Sequence, residues 1–297
     1  MSAHFVFLTD THYYPDAPKD FSAPKMLTRG RKIHEAIPSA VNACSPEFII
    51  HGGDLLCGGG SFEIPRETFH QSIQQVSQEF TRFEAPIYYV PGNHDCDAQS
   101  GSFGAMASEF PIPDTLTVTR VAPRLSLALA NIYHDVNPLQ NNVGTWTDEL
   151  DQELRQASDA AHKDGSALML VLHTWVLPTY DVGKGLVGNS PRLLNTLFEC
   201  PSVIAVFTGH RHRNRIRVVR DLLFIDTSCM IGFPFGFREI HLRNDGAFDF
   251  NFHSLDLPDL IQASYDRSTP DENNVWHGEI NDRITEIHSP RLKDIWQ

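Results

Sequence analysis

Cysteine is scarce in this chain: Cys44, Cys57, Cys96, Cys200 and Cys229 are five in number, and no two stand in a Cys-x-x-Cys spacing. Such scatter excludes a dense disulfide framework and a zinc ribbon, and it points to a reducing compartment. Long apolar runs are missing too, since no stretch reaches the ~18 residues that a spanning helix requires. Met1-Ser2-Ala3-His4 leads straight into an apolar segment with no basic region before it, so a cytoplasmic protein without a membrane partner is expected. Positive charge is in deficit: 24 Lys and Arg against 37 Asp and Glu leave a formal charge of -13. A surface of that sign repels polyanions, which argues against a nucleic-acid polymer and requires any phosphate-bearing ligand to meet local positive charge. Gly58-Gly59-Gly60 lacks the Lys-Ser/Thr ending of a nucleotide-binding loop, and no Gly-x-Ser-x-Gly elbow occurs, which argues against serine-hydrolase chemistry.

What is present is an ordinary globular composition, 41% hydrophobic and 21% charged over 297 residues, long enough for one α/β domain with a buried core. A rhythm runs through it. His4 to Leu8 is apolar and β-prone and ends in Asp10-Thr11-His12; Glu47 to Ile50 ends in His51-Gly52-Gly53-Asp54; Pro86 to Val90 ends in Gly92-Asn93-His94-Asp95. After an alternating stretch from Thr115 to Ile132, Ala167 to Leu172 ends at His173 and Val203 to Phe207 ends in Gly209-His210-Arg211-His212. The carboxyl ends of strands are where open α/β sheets place their sites. Helices are predicted over Leu27 to Ala43, where Ile33, Ile37 and Val41 recur every fourth residue, over Arg66 to Phe83, and over Asp148 to Lys163 behind a Thr147 cap. Arg215 to Val219, Leu222 to Asp226, Phe237 to Leu242 and Ala247 to Phe252 read as further strands, with Asn244-Asp245-Gly246 as a hairpin turn.

The strand ends collect Asp10, His12, Asp54, Asn93, His94, His173, His210 and His212, nitrogen and oxygen donors without a thiolate. That set suits Mn, Fe, Zn or Co, and a pair of such ions can clamp the attacking and leaving oxygens of displacement at phosphorus. Asp10 and His12, like His210 and His212, lie two apart and would face one side of a continuing strand. Glycines 53, 92 and 209 precede ligands, where a missing side chain lets the backbone turn beneath the site.

In this order, Asp10-Thr11-His12, Gly53-Asp54, Gly92-Asn93-His94-Asp95, His173 and Gly209-His210-Arg211-His212 strongly resemble the calcineurin-like metallophosphoesterases. The resemblance implies a four-layer α/β/β/α sandwich of two mixed sheets with a dinuclear metal site at the strand C-terminal ends. It implies that Asp10, His12 and His212 hold one of two metal ions, that Asn93, His173 and His210 hold the other, and that Asp54 bridges them. His94 would stay off the metals and act on the scissile ester while Asp95 orients its imidazole; a hydroxide held by the metals would attack phosphorus.

Leu55-Leu56 after Asp54 departs from the tyrosine-bearing pattern of purple acid phosphatases. The Gly-His-x-His ending looks most like bacterial phosphodiesterases for cyclic nucleotides or glycerophosphodiesters, although Thr174 stands where many of that group carry a second histidine. A small-molecule phosphodiester is therefore the expected substrate, with a phosphomonoester or nucleotide pyrophosphate as the alternative and a non-catalytic scaffold last.

Tyr13 and Tyr14 follow His12 closely and are candidates to line the substrate pocket, while Phe233, Phe235 and Phe237 read as core. His51 is a candidate to support Asp54 from behind. The remaining histidines, among them His4, His34, His241 and His253, lack a motif and are read as surface or satisfied core residues. Residues 1–257 are taken as the catalytic domain. Pro258 to Gln297 loses apolar periodicity and reads as a tail, a lid or an interface segment, which is compatible with a homodimer.

Overall fold

The computed structural model describes residues 2–178 and 185–296. In chain order, β1 (Ala3–Leu8), α1 (Gly30–Asn42), β2 (Phe48–His51), α2 (Arg66–Phe80) and β3 (Ile87–Tyr89) are followed by a short α3 (Gly104–Ala107). Next come β4 (Leu116–Ala122), β5 (Leu125–Ala130), α4 (Asp148–Lys163), β6 (Ala167–Val171), α5 (Ser190–Glu199) and β7 (Val203–Thr208). Then β8 (Arg215–Val219), β9 (Leu222–Asp226), β10 (Gly236–Leu242) and β11 (Ala247–Ser254) precede α6 (Pro258–Tyr265), α7 (Pro270–His277), α8 (Ile280–Arg283), β12 (Thr285–His288) and α9 (Pro290–Trp296).

The strands form two mixed sheets, one ordered β12-β11-β10-β1-β2-β3 and the other β4-β5-β6-β7-β9-β8. Strands β1, β2 and β3 run parallel in the first, and β5, β6, β7 and β9 run parallel in the second. Parallel strands covered on both faces read as nearly continuous apolar runs, which is why the segments before each ligand are so uniformly hydrophobic.

The period of two in β1 sorts the layers. Phe5 and Phe7 point toward the second sheet and pack with Leu127, Met169, Val171 and Phe207, whereas Val6 and Leu8 point outward to Ile33 and Ile37 of α1 and Phe69 and Ile73 of α2. The outer face of the second sheet is covered in the same way by Leu150 and Leu154 of α4 and Leu193 and Leu197 of α5. The result is the four-layer α/β/β/α sandwich. Helix α4 begins where Thr147 Oγ1 accepts the Leu150 amide at 3.3 Å, with Asp148, Glu149 and Asp151 in its first turn and His162 and Lys163 in its last, each sign matched to the helix dipole.

Helix α5 falls in the stretch between His173 and Val203, where the sequence showed no clear element. Phe235 and Phe237 are buried core residues, though only Phe237 lies in a strand. The segment from Pro258 carries four helices, and β12 pairs with β11 as the edge of the first sheet. Weak periodicity hid these elements because each is short and half covered. None of the described helices is long and apolar enough to cross a membrane.

Phe207 joins the sheets, its ring 5.9 Å from that of Phe5 and 5.1 Å from that of Phe7, edge to face. Phe207→Ala is expected to cost about 3–5 kcal/mol of unfolding free energy in urea titration; a loss below about 1 kcal/mol would show that this layer does not hold the sheets together.

Candidate metal centre

Every sequence-derived donor lies just past a strand end, at the edge where the two sheets meet. Asp10 and His12 follow β1, Asp54 follows β2 and Asn93 follows β3, all from the first sheet; His173 follows β6 and His210 and His212 follow β7, from the second. Their backbones are not the continuing strands that the spacing of two suggested. Asp10, His12, Asp54, His210 and His212 all have positive φ, between 44° and 67°, the left-handed region that non-glycine residues seldom occupy. These pairs converge because each loop winds back on itself, and neighbouring backbone holds the turns: the amides of Asp10 and His12 donate to the carbonyls of Gly53 and Asp54, each at 3.0 Å.

Of the glycines, Gly53 has a positive φ of 94° and does make a turn. Gly92 and Gly209 serve close approach instead. A Cβ at Gly92 would collide with Asp54 Oδ1 and the Asp54 amide, and one at Gly209 with Thr9 Oγ1 and Asp10 Oδ2.

Two donor groups result. Asp10 Oδ1 lies 3.1 Å from His212 Nε2 and 3.6 Å from His12 Nε2, and the two imidazole nitrogens are 3.1 Å apart. Asp54 Oδ2 lies 3.2 Å from His173 Nε2, and His210 Nδ1 lies 3.0 Å from Asn93 Oδ1. Donors bound at about 2.0–2.2 Å to a shared cation stand roughly 3–3.5 Å from one another, so both groups fit an ion. His173 fits it in a second way: its Nδ1–H donates to the Gly52 carbonyl at 2.8 Å, which aims Nε2 inward, where it is buried without a hydrogen-bond partner. Asp54 Oδ2 also lies 3.8 Å from His12 Nε2, placing this carboxylate between the groups.

Electrostatics without ions follow from the same distances. Burial alone would raise Asp10 and Asp54, but the surrounding imidazoles hold both well below the ordinary carboxylate range. Burial pushes His12 down to about 4 and His210 to about 3. It opposes the charge on His173 and His212 as well, yet the Asp54 carboxylate lifts His173 to about 9, and Cys229 with Asp10 lifts His212 to about 9. The charge on the two buried carboxylates is thus favoured by the imidazoles that face them.

His94 stands off both groups. Its Nδ1–H donates to the Gly58 carbonyl at 2.9 Å, and its backbone amide donates to Asp54 Oδ1 at 2.7 Å. Asp95 does not orient this ring, contrary to the expectation from sequence. Its Oδ2 accepts the amides of Asp54 and Gly92, each at 2.8 Å, and its Oδ1 accepts the amide of Leu56 at 3.0 Å. Burial and the nearby Asp54 charge push Asp95 up to about 8 while the amides of Gly92 and Leu56 pull the other way; with three peptide N–H groups on its two oxygens, Asp95 ties the β2 and β3 loops together.

Tyr13 is also corrected: its ring packs on His34 of α1 at 4.5 Å, and its hydroxyl donates to Gln75 Oε1 at 2.7 Å. Tyr14 is buried, its ring 6.2 Å from that of Phe21, which stands 5.3 Å from the ring of Phe62. The aromatic beside the donors is Phe62, 5.5 Å from the His12 ring and 4.7 Å from His94. Lys25 Nζ stands 5.7 Å from the Phe62 ring, and its charge reaches His94. Phe62 and Lys25 carry no sequence signal, because a loop brings each in from outside the motifs. His51 does support the Asp54 turn: its Nδ1 accepts the Gly53 amide at 3.2 Å, its Nε2–H faces Thr11 Oγ1 at 3.3 Å, and that hydroxyl donates to the Leu55 carbonyl. Burial pushes His51 down to about 3, which keeps it neutral for this relay.

In Asp95→Asn an amide NH2 would face backbone N–H donors, leaving at least one unsatisfied at about 1–3 kcal/mol. Metal content and thermal midpoint should fall together; full metal content with turnover alone reduced would return Asp95 to the role of orienting His94. Since His173 and His212 must lose protons to become ligands, metal uptake at pH 7 should release about two protons per chain, and affinity should rise with pH and level off above about 9. Calorimetry in buffers of different ionisation enthalpy checks this, and uptake without proton release would refute it.

Residues 3–214 match the calcineurin-like phosphoesterase family. Among solved structures, the chain is similar to a dimetal phosphatase from Danio rerio, at TM-score 0.68 and 13% identity over 85% of this chain and 96% of that one. It is also similar to a putative 5'-nucleotidase from Staphylococcus aureus, at TM-score 0.54 and 14% identity over 90% of this chain and 58% of that one. A protein of Thermus thermophilus matches at TM-score 0.51 and 9% identity, over 90% of this chain and 97% of that one. No curated protein matches the chain. These likenesses are of fold, and the match over residues 3–214 contains all five donor motifs. The chain belongs to the calcineurin-like phosphoesterases, a family of dimetal phosphoester hydrolases.

Proposed function

We propose that this chain hydrolyses small-molecule phosphodiesters, of the cyclic-nucleotide or glycerophosphodiester kind, at the seam between its sheets. The observation that carries this reading is the position of Asp54 Oδ2 between two donor groups, with His94 held beside it. Asp10, His12 and His212 would hold one cation and Asn93, His173 and His210 the other, with Asp54 shared. When bound, a pair of Mn, Fe, Zn or Co ions supplies Lewis acidity at the phosphoryl oxygens and lowers the pKa of water toward neutrality.

The chain's own residues then position and protonate. With Nδ1–H donated to the Gly58 carbonyl, Nε2 is the ring atom that faces the ester; burial disfavours and the Asp54 charge favours a second proton there, and the imidazolium so formed would give that proton to the departing ester oxygen. Phe62 walls the site beside His94 and His12, which limits water on that side. The preference for a diester follows from the Gly209-His210-Arg211-His212 ending noted above. A phosphomonoester or pyrophosphate is the second reading, favoured by the Lys25 ammonium near His94, which could meet the added negative charge. A non-catalytic scaffold ranks last because every donor position of the family is retained.

Bis-p-nitrophenyl phosphate and p-nitrophenyl phosphate, assayed with Mn, Zn, Fe, Co and no metal, separate these readings. We expect the diester to turn over faster, and His94→Ala to keep its metals while kcat falls about 10²–10⁴-fold. Faster monoester turnover would select the second reading. Inactivity with every metal across a broad ester panel would select the scaffold.

A further inference from the structure

His210 and His212, one for each donor group, share a loop that leaves β7 at Thr208 and enters β8 at Arg215. Both have left-handed backbone, at φ of 67° and 55°, a shape that a loop keeps only when its surroundings impose it. The two stems of this loop are fastened to one residue of the neighbouring strand, Asp226 at the end of β9. Thr208 Oγ1 donates to Asp226 Oδ1, and Arg215 Nε donates to Asp226 Oδ2. The Arg215 guanidinium is itself set by the Trp175 ring, 4.1 Å away, and by the Leu177 carbonyl, which accepts from Nη2 at 3.2 Å.

A second fastening comes from the facing sheet. Arg238 of β10 stands opposite Phe7 in register, and the period of two turns it between the sheets with Ile240 and Leu242. Its Nη2 donates to the Asp226 carbonyl at 2.9 Å and to Asn214 Oδ1 at 3.1 Å. Asn214 follows His212 closely in the chain; its Oδ1 also accepts the Ser228 amide at 3.3 Å, and its Nδ2 donates to the His277 carbonyl at 3.2 Å.

Packing alone does not account for this arginine. Arg238 and Asp226 are 0% and 3% exposed, and Arg238 Nε and Nη1 have no hydrogen-bond partner, so the guanidinium is desolvated without full compensation. Exchanging buried charges for apolar side chains of similar volume is often neutral or stabilising. What an apolar side chain cannot supply is a donor that reaches from β10 to the backbone of β9 and to the segment after His212.

We propose that Asp226 and Arg238 are positioning residues for the metal centre. Asp226 pins both stems of the loop that carries His210 and His212, and Arg238 sets the place of that loop relative to β1 across the seam. Both act through the two imidazoles rather than as ligands, a role that rests on the assignment of His210 and His212 to the metal ions.

The test uses the full chain, stripped with chelator and titrated with cobalt. In Arg238→Met the metal-free thermal midpoint should stay within about 3 °C of native or rise. Cobalt affinity should nevertheless fall at least about ten-fold, and the visible bands of the saturated chain should change, because each ion meets a displaced imidazole. Arg238→Lys keeps a donor and should bind cobalt more tightly than Arg238→Met. Asp226→Asn keeps the side-chain volume, guards against misfolding of the arginine variant, and should also lower cobalt affinity at least about ten-fold. Native affinity and a native cobalt spectrum in both Arg238→Met and Asp226→Asn, whatever their thermal midpoints, would make these residues purely structural and overturn the proposal. Failure of the native chain to take up cobalt would instead overturn the ligand assignment, and this role with it.

Discussion

Everything at the candidate centre depends on bringing the ends of two sheets within hydrogen-bond distance of each other. Neither sheet carries a complete donor group: Asp10 and His12 need His212 from across the seam, and Asp54 and Asn93 need His173 and His210. The layer of Phe5, Phe7 and Phe207 sets that spacing, because edge-to-face rings pack at one separation and resist sliding. Two buried carboxylates follow from the same constraint. Isolated, each would be strongly disfavoured; here imidazoles on the facing loops compensate them.

Backbone strain is concentrated where the donors are. Left-handed conformations at Asp10, His12, Asp54, His210 and His212 cost roughly 1–2 kcal/mol each and survive only when the surroundings leave no alternative. The surroundings here are hydrogen bonds rather than bulk packing. Asp95 holds the Asp54, Leu56 and Gly92 amides, Asp10 Oδ2 holds the His210 amide at 3.0 Å, and His51, Thr11 and Leu55 form a relay behind the β2 loop. His34 adds to it by donating Nε2–H to the Thr11 carbonyl at 3.0 Å, and burial keeps this ring neutral, pushed down to about 4. These hydrogen bonds fix the positions of the donors, which is what electrostatic catalysis requires.

The C-terminal segment contributes to the same alignment. Strand β12 extends the first sheet, while Asp282 Oδ1 accepts the Ile216 amide of the second sheet at 2.9 Å. Arg291 in α9 donates to the carbonyls of Leu197, Cys200 and Val203 at 3.0, 2.9 and 2.6 Å, beside β7. The residues after Pro258 thus clasp both sheets from the end of the chain.

The sequence by itself determined the strand-then-donor rhythm, the candidate donors and the helices α1, α2 and α4, because apolar periodicity and polar strand ends are local properties. It also made His51 a candidate support for Asp54, since that imidazole lies three residues before it. It did not reveal α5, β12 or the short C-terminal helices, whose apolar faces are too narrow to show a period. The role of Asp95 was decided by tertiary structure: its acceptors are filled by amides from the β2 loop, 39 and 41 residues away, as well as by Gly92. Likewise Tyr13 was turned into the core and Phe62 toward His94 by loop paths that no spacing rule encodes. The histidines that meet Glu239 are the clearest case: His4, His241 and His253 lie on β1, β10 and β11, so only strand pairing could bring them to one carboxylate.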